Sequence, residues 1–147
     1  MPDKIEIDDS AVVTLRAALR LDEFFPEMSA AEIAKFFPES GVYSYAEKEY
    51  VLHQGEAGRE VFIVIDGMVT ITQMGEAGGS KLGTLESGSV FGEIALAKDG
   101  TRTATAIATR ASKIFRLAYP DVEALTTANM PFAEHLQALA AKRIEEN

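Results

Sequence analysis

Val90-Phe91-Gly92-Glu93-Ile94-Ala95-Leu96-Ala97-Lys98-Asp99-Gly100-Thr101-Arg102-Thr103-Ala104-Thr105 is the stretch on which the reading of this chain turns. Phe-Gly-Glu followed by apolar residues spells the first turn of a short helix, and Gly92 removes the side chain that would block close approach. The N–H groups of such a turn have no intrahelical partner and favour an anion. Arg102, nine residues after Glu93, adds a permanently charged fork able to grip two phosphate oxygens in parallel. A carboxylate beside an anion is repulsive unless it accepts hydrogen bonds from another group, and sugar hydroxyls supply them. A ligand with one ribose and one anionic phosphate satisfies the amides, Arg102 and Glu93 together.

Composition narrows the classes. A length of 147 residues suits one domain with a real core. The absence of cysteine excludes disulfides, thiolate metal sites and cysteine nucleophiles. Only His53 and His135 are present, far apart, which argues against a metal-dependent β-roll. No serine elbow or paired catalytic carboxylate stands out, so an enzyme is not expected. The net charge of −9 disfavours nucleic acid, which demands a cationic face. The acidic N-terminus has no signal-peptide pattern, and no apolar run approaches the ~20 residues that span a bilayer. The expectation is a soluble, cytoplasmic protein without membrane insertion.

Along the chain, Ser10–Arg20 reads as a helix capped by Asp9 or Ser10, with Val12, Leu15, Ala18 and Leu19 on one face. Ser29-Ala30-Ala31-Glu32 is a capping-box spelling for a second helix, Ala30–Phe37. Phe24, Phe25, Phe36 and Phe37 read as core of this N-terminal helical unit, residues 1–41. From 42 to 118 the rhythm changes to short β-like runs between glycines: Val42–Tyr45, Glu49–His53, Val61–Ile65, Met68–Met74, Lys81–Leu85, Thr103–Thr109 and Lys113–Leu117. Asp66-Gly67 between two apolar runs is a tight-hairpin signal. Such a pattern indicates a mainly β protein, a sandwich or roll, with flanking helices. Tyr119-Pro120-Asp121 opens a helix to about Ala128, Asn129-Met130-Pro131 breaks it, and Phe132 to Ile144 forms a last one. His53 reads as a half-buried strand histidine and His135 as solvent-facing.

The quoted stretch resembles the phosphate-binding cassette of the cyclic-nucleotide-binding domain family. The matching residues are Phe91, Gly92, Glu93, Ile94, Ala95 and Leu96, then Arg102, Thr103, Ala104 and Thr105. His53-Gln54-Gly55-Glu56-Ala57-Gly58, Val61 through Val69, and Leu85 through Val90 fit the turns and strands that surround it, so residues 20 to 130 are covered. The resemblance implies one domain, residues 1–147. It is expected to be an eight-stranded, jelly-roll-like antiparallel β-roll with N-terminal helices, a cassette over 90–103, and two C-terminal helices over 119–147 acting as hinge and lid. It implies a ligand site at Val90, Phe91, Gly92, Glu93, Ile94, Ala95, Arg102 and Thr103. Arg102 would pair with the cyclic phosphate, the 92–96 amides would cradle it, and Glu93 would hold the ribose 2′-hydroxyl. Leu136 or Leu139 would cover the purine. The ligand expected is cAMP, with cGMP left open by Thr103, and no metal. Family members usually carry a kinase, channel, cyclase or helix-turn-helix in the same chain, and this sequence spells none. The expectation is therefore a stand-alone sensor that acts on a separate protein effector or through self-association. The alternative is a degenerate interaction module of the same fold that binds no nucleotide.

Overall fold

The structure is a computed structural model that describes residues 3–21, 29–58, 60–75, 78–91, 102, 104–128, 130–131 and 134. The run Val61–Asp66 (β4) organises it. A strand exposes its side chains alternately to two faces, and five consecutive residues here, Val61 to Ile65, are buried. Val61, Ile63 and Ile65 join one core, and Phe62 and Val64 join another.

The first core lies under the N-terminal helices. In α1 (Asp9–Ala18), Ala11, Val12 and Leu15 turn inward, and Leu19 and Leu21 follow them into the core. In α2 (Ala30–Phe36), Ile33 does the same. Phe37, just past α2, meets Phe115 edge-on at 6.1 Å between ring centroids. Each large apolar side chain buried in this way contributes about 1.5–3 kcal/mol. The caps are local. Asp8, one residue earlier than the sequence suggests, accepts from the Ala11 amide at 2.8 Å. Ser29 accepts from the Glu32 amide at 3.3 Å, the forward half of the expected capping box, and the Glu32 carboxylate accepts from the Ser29 hydroxyl.

The remaining strands are β1 (Asp3–Ile5), β2 (Gly41–Tyr45), β3 (Tyr50–Leu52), β5 (Met68–Gly75), β6 (Gly78–Glu86), β7 (Val90–Phe91), β8 (Thr105–Ala108) and β9 (Ser112–Leu117). Among the described residues they form two antiparallel sheets, ordered β1-β2-β9-β4-β7 and β3-β8-β5-β6. The second core fills the space between the sheets, where Ala106 and Ala108 leave room for Phe62, Val64, Phe91 and Tyr45. Burial pushes the Tyr45 hydroxyl up to about 12. The architecture is the mainly β roll with flanking helices that the sequence implies. The nine described strands include two not among the expected runs: β1, three residues inside the expected helical unit, pairs with β2 through Lys4↔Tyr43, and β7, at the start of the expected cassette, pairs with β4 through Phe62↔Phe91.

Asp66-Gly67 does not close a hairpin. The strands on either side of it, β4 and β5, belong to different sheets, so the turn is a corner at which the chain crosses between them. Gly67, at φ +129°, lies so close to Ser112 that a Cβ there would collide with that residue's side chain and backbone. The Ser112 hydroxyl accepts from the Met68 amide at 3.1 Å and donates to the Arg110 carbonyl at 2.8 Å. The Met68 carbonyl accepts from the Thr109 amide at 2.9 Å, so the corner's polar groups are met by β9 and the turn before it and not by a hairpin partner.

The helix α3 (Tyr119–Ala128) follows β9 directly. Its start is fixed from far away in sequence. The buried Ser40 hydroxyl accepts from the Ala118 amide at 2.8 Å, 78 residues on, and donates to the Asp121 carboxylate at 2.5 Å. That carboxylate also accepts from the Glu39 amide at 3.0 Å. A buried carboxylate deprived of one of its donors keeps more of its desolvation cost uncompensated. Ser40→Ala is therefore expected to destabilise the protein by about 1–3 kcal/mol in urea unfolding. A loss below ~0.5 kcal/mol would show that the bridge contributes little.

Candidate functional site

The main chain places Arg102 before its side chain acts. The β3–β8 ladder pairs Leu52 with Ala106, and the same antiparallel course continues past it. The Gln54 amide donates to Thr105 Oγ1 at 2.9 Å, the Gly55 amide to the Arg102 carbonyl at 2.9 Å, and the Arg102 amide to the Glu56 carbonyl at 2.8 Å. Gly55 takes φ +89°, which the turn requires and which other residues resist. Arg102 is thus pinned to the His53–Gly58 turn at both of its peptide groups.

Its side chain runs inward and is only 5% exposed. Nη2 donates to the Glu60 main-chain carbonyl at 3.0 Å and to Glu60 Oε2 at 3.1 Å. The guanidinium carbon lies 5.6 Å from the centroid of the Phe62 ring, within cation–π range. Phe62 in turn stacks on Phe91 with centroids 5.2 Å apart and planes 16° from parallel. Gly58 packs against the same guanidinium. A Cβ there would come within 2.9 Å of Arg102 Nε and 3.2 Å of Glu60 Oε2.

Glu60 carries a second partner. Its Oε1 accepts from Arg116 Nη2 at 2.9 Å. Arg116 is the penultimate residue of β9, opposite Gly41 of β2 and Phe62 of β4, so its main chain is fixed by two neighbouring strands. Burial pushes the Glu60 carboxyl up, but the Arg116 hydrogen bond, a backbone hydrogen bond and the charges of Arg116 and Arg102 outweigh it. Together they hold it below its ordinary value. Burial likewise opposes the charge on Arg116, and Glu60 and Tyr43 more than compensate. The three side chains Glu60, Arg102 and Arg116 sum to one positive charge at this end of the roll, which suits an anion.

Among the residues that the sequence assigns to the site, the structure joins Phe91 and Arg102 through Phe62. It sends Val90 to the other core, against the helices, where it is 8% exposed. Gly92, Glu93, Ile94, Ala95 and Thr103 lie outside the described residues, as do Leu136, Leu139 and His135. The chain that leads into the cassette is tied to β4: the Gly88 amide donates to the Val64 carbonyl at 2.8 Å, and Ser87 Oγ to the Ile65 carbonyl at 2.7 Å. His53, read as half-buried, is exposed and stacks on Tyr50 at 4.6 Å between centroids. Met130 and Pro131, in the expected hinge, have helical backbone. Sequence reasoning missed Glu60. Its signal was phase: Glu60 precedes β4 in step with Phe62 and Val64, so an acid is aimed at the interior between the sheets.

The family model described as cyclic nucleotide-binding domain matches residues 42–129, more than half of the chain. The chain belongs to the cyclic nucleotide-binding domain family. It is 37% identical over 93 residues to the cAMP-dependent protein kinase regulatory subunit of Mycosarcoma maydis, across 63% of this chain and 18% of that one. It is 30% identical over 103 residues to the cyclic AMP receptor protein of Thermus thermophilus, across 69% of this chain and 48% of that one. The regulatory domain of Toxoplasma gondii PKA, solved with cAMP, superposes with a TM-score of 0.68 at 25% identity, over 92% of this chain and 49% of that one. The chain thus spans less than half the length of these relatives. Among the described residues of this cyclic nucleotide-binding domain, no cluster of His, Asp and Glu is placed to hold a metal ion. No helix among them is long and apolar enough to cross a membrane.

The Glu60 pairing sets a pH dependence. Because its pKa is lowered on folding, its stabilisation is fully present above the ordinary carboxylate range and is lost as pH falls through the lowered value. Urea unfolding at pH 7 and at about pH 3 is expected to show a larger loss for the unsubstituted protein than for Glu60→Gln. Equal losses would mean that Glu60 is no better paired in the folded protein than in the unfolded one.

Proposed function

We propose that this domain is a cyclic-mononucleotide sensor that binds cAMP, with cGMP as the second candidate, and acts by binding and not by catalysis. The observation that carries this reading is Arg102 itself. It is buried, held at both peptide groups and braced by Glu60, Phe62 and Gly58, in a segment that matches the family's cassette. An arginine whose main chain is fixed on both sides and whose side chain is already buried loses less freedom when it grips an anion, so more of the bond's strength appears as affinity. In this reading the Gly92, Glu93, Ile94 and Ala95 segment supplies amides to the cyclic phosphate, Glu93 accepts from the ribose 2′-hydroxyl, and Thr103 touches the phosphate. Phe91 and Val90 anchor the entry to that segment in the two cores.

The output in this proposal is mechanical. The nucleotide shifts the helices over 119–147 between two positions by its affinity difference for them, and a separate protein effector, or a second copy of the chain, reads the change in the cytoplasm. The second reading, an interaction module without a ligand, draws on the same ion pair: Glu60 already neutralises part of the Arg102 charge.

Calorimetric titration with cAMP and cGMP separates the two. The unsubstituted protein is expected to bind at least one of them. Arg102→Ala is expected to lose about 2–3 kcal/mol, roughly 30- to 150-fold, with the loss of a charge-assisted bidentate bond. Because Arg102 also braces the fold, Glu93→Gln serves as a companion variant, with a smaller loss. Binding unchanged in both variants would place the phosphate elsewhere, and no binding by the unsubstituted protein would favour the second reading.

A further inference from the structure

We infer that Arg116, which lies on β9 outside the cassette, sets how readily Arg102 accepts an anion by sharing the Glu60 carboxylate with it. This rests on Arg102 as the phosphate ligand. The geometry divides the carboxylate cleanly: Oε2 faces Arg102 at 3.1 Å and Oε1 faces Arg116 at 2.9 Å. An arriving phosphate competes with Oε2 for the Arg102 guanidinium. Displacing a half-buried carboxylate is costly when it is left without a cation and far less so when a second cation still holds it. Arg116 is that second cation, and it stays in place because β2 and β4 flank its strand. Glu60 can then relax toward Arg116 while Arg102 turns its donors to the ligand. Without Arg116, both carboxylate oxygens fall to Arg102. One negative charge then cancels the one positive charge at the site, and the phosphate must displace a fully committed partner or lie beside it. Arg116 is a positioning residue here, acting through Glu60 without touching the nucleotide.

The test is a double-mutant cycle on the full chain, read by equilibrium titration with cAMP and cGMP and accompanied by thermal melts. Arg116→Gln is expected to weaken binding about tenfold, whereas on a Glu60→Gln background the same change moves affinity by less than about twofold. Arg116→Lys keeps the charge without the fork and is expected to lose only about two- to threefold. Should Arg116→Gln fail to fold, the lysine variant carries the cycle, and its smaller loss must also vanish with Glu60→Gln. Losses of equal size on both backgrounds, or a lowered melting temperature with affinity intact, would overturn the inference. If the unsubstituted protein binds neither nucleotide, the assignment of Arg102 falls and this inference with it. If binding depends on Arg102 but Arg116 acts independently of Glu60, the inference alone falls.

Discussion

A β-strand buried on both faces leaves its neighbours little freedom, and β4 imposes that constraint on this molecule. Its odd-numbered residues from Val61 to Ile65 fit the helices, and its even-numbered ones fit the interior between the sheets. The alternation fixes which way Glu60 points before any charge is considered. It also fixes Phe62, on which both Arg102 and Phe91 rest. The fold and the site are therefore one problem of phase: the strand that fills two cores also delivers the acid and the ring that brace the arginine.

The electrostatics are arranged in the same economical way. An isolated arginine at 5% exposure is costly, and an isolated glutamate at 25% exposure less so. Pairing them beside the Phe62 ring, with a second arginine on the far oxygen, offsets part of both costs and leaves a net positive charge on an otherwise acidic protein. Long-range attraction of an anion to a chain of charge −9 is poor, so recognition there rests on short-range geometry.

Much of this was legible in the sequence because periodicity and punctuation are local signals. The runs of β4, β5, β8 and β9, the Ser29 capping box and the helix at Tyr119 all announce themselves within a few residues. The position of Arg102 before an alternating strand did so as well. What escaped was pairing across distance. Asp66-Gly67 has the spelling of a hairpin, yet nothing local says that β5 will leave for the other sheet, since that depends on Ser112 filling the space beside Gly67. The three residues of β1 are too few and too charged to show a period, and form a strand only because the edge of β2 is open to them. Glu60 was visible in phase but not in partner, because Arg102 and Arg116 lie 42 and 56 residues beyond it.

The Ser40 bridge has a bearing on how the molecule comes together. A helix of ten residues is marginal without tertiary contacts, and α3 has its entry amide and its Asp121 carboxylate completed by a hydroxyl from the opposite end of the β-region. Its start at Tyr119 is thus tied to Ser40, at the threshold of β2. The bridge thereby joins the entry to β2 and the exit from β9 into one joint, although 78 residues separate them in sequence.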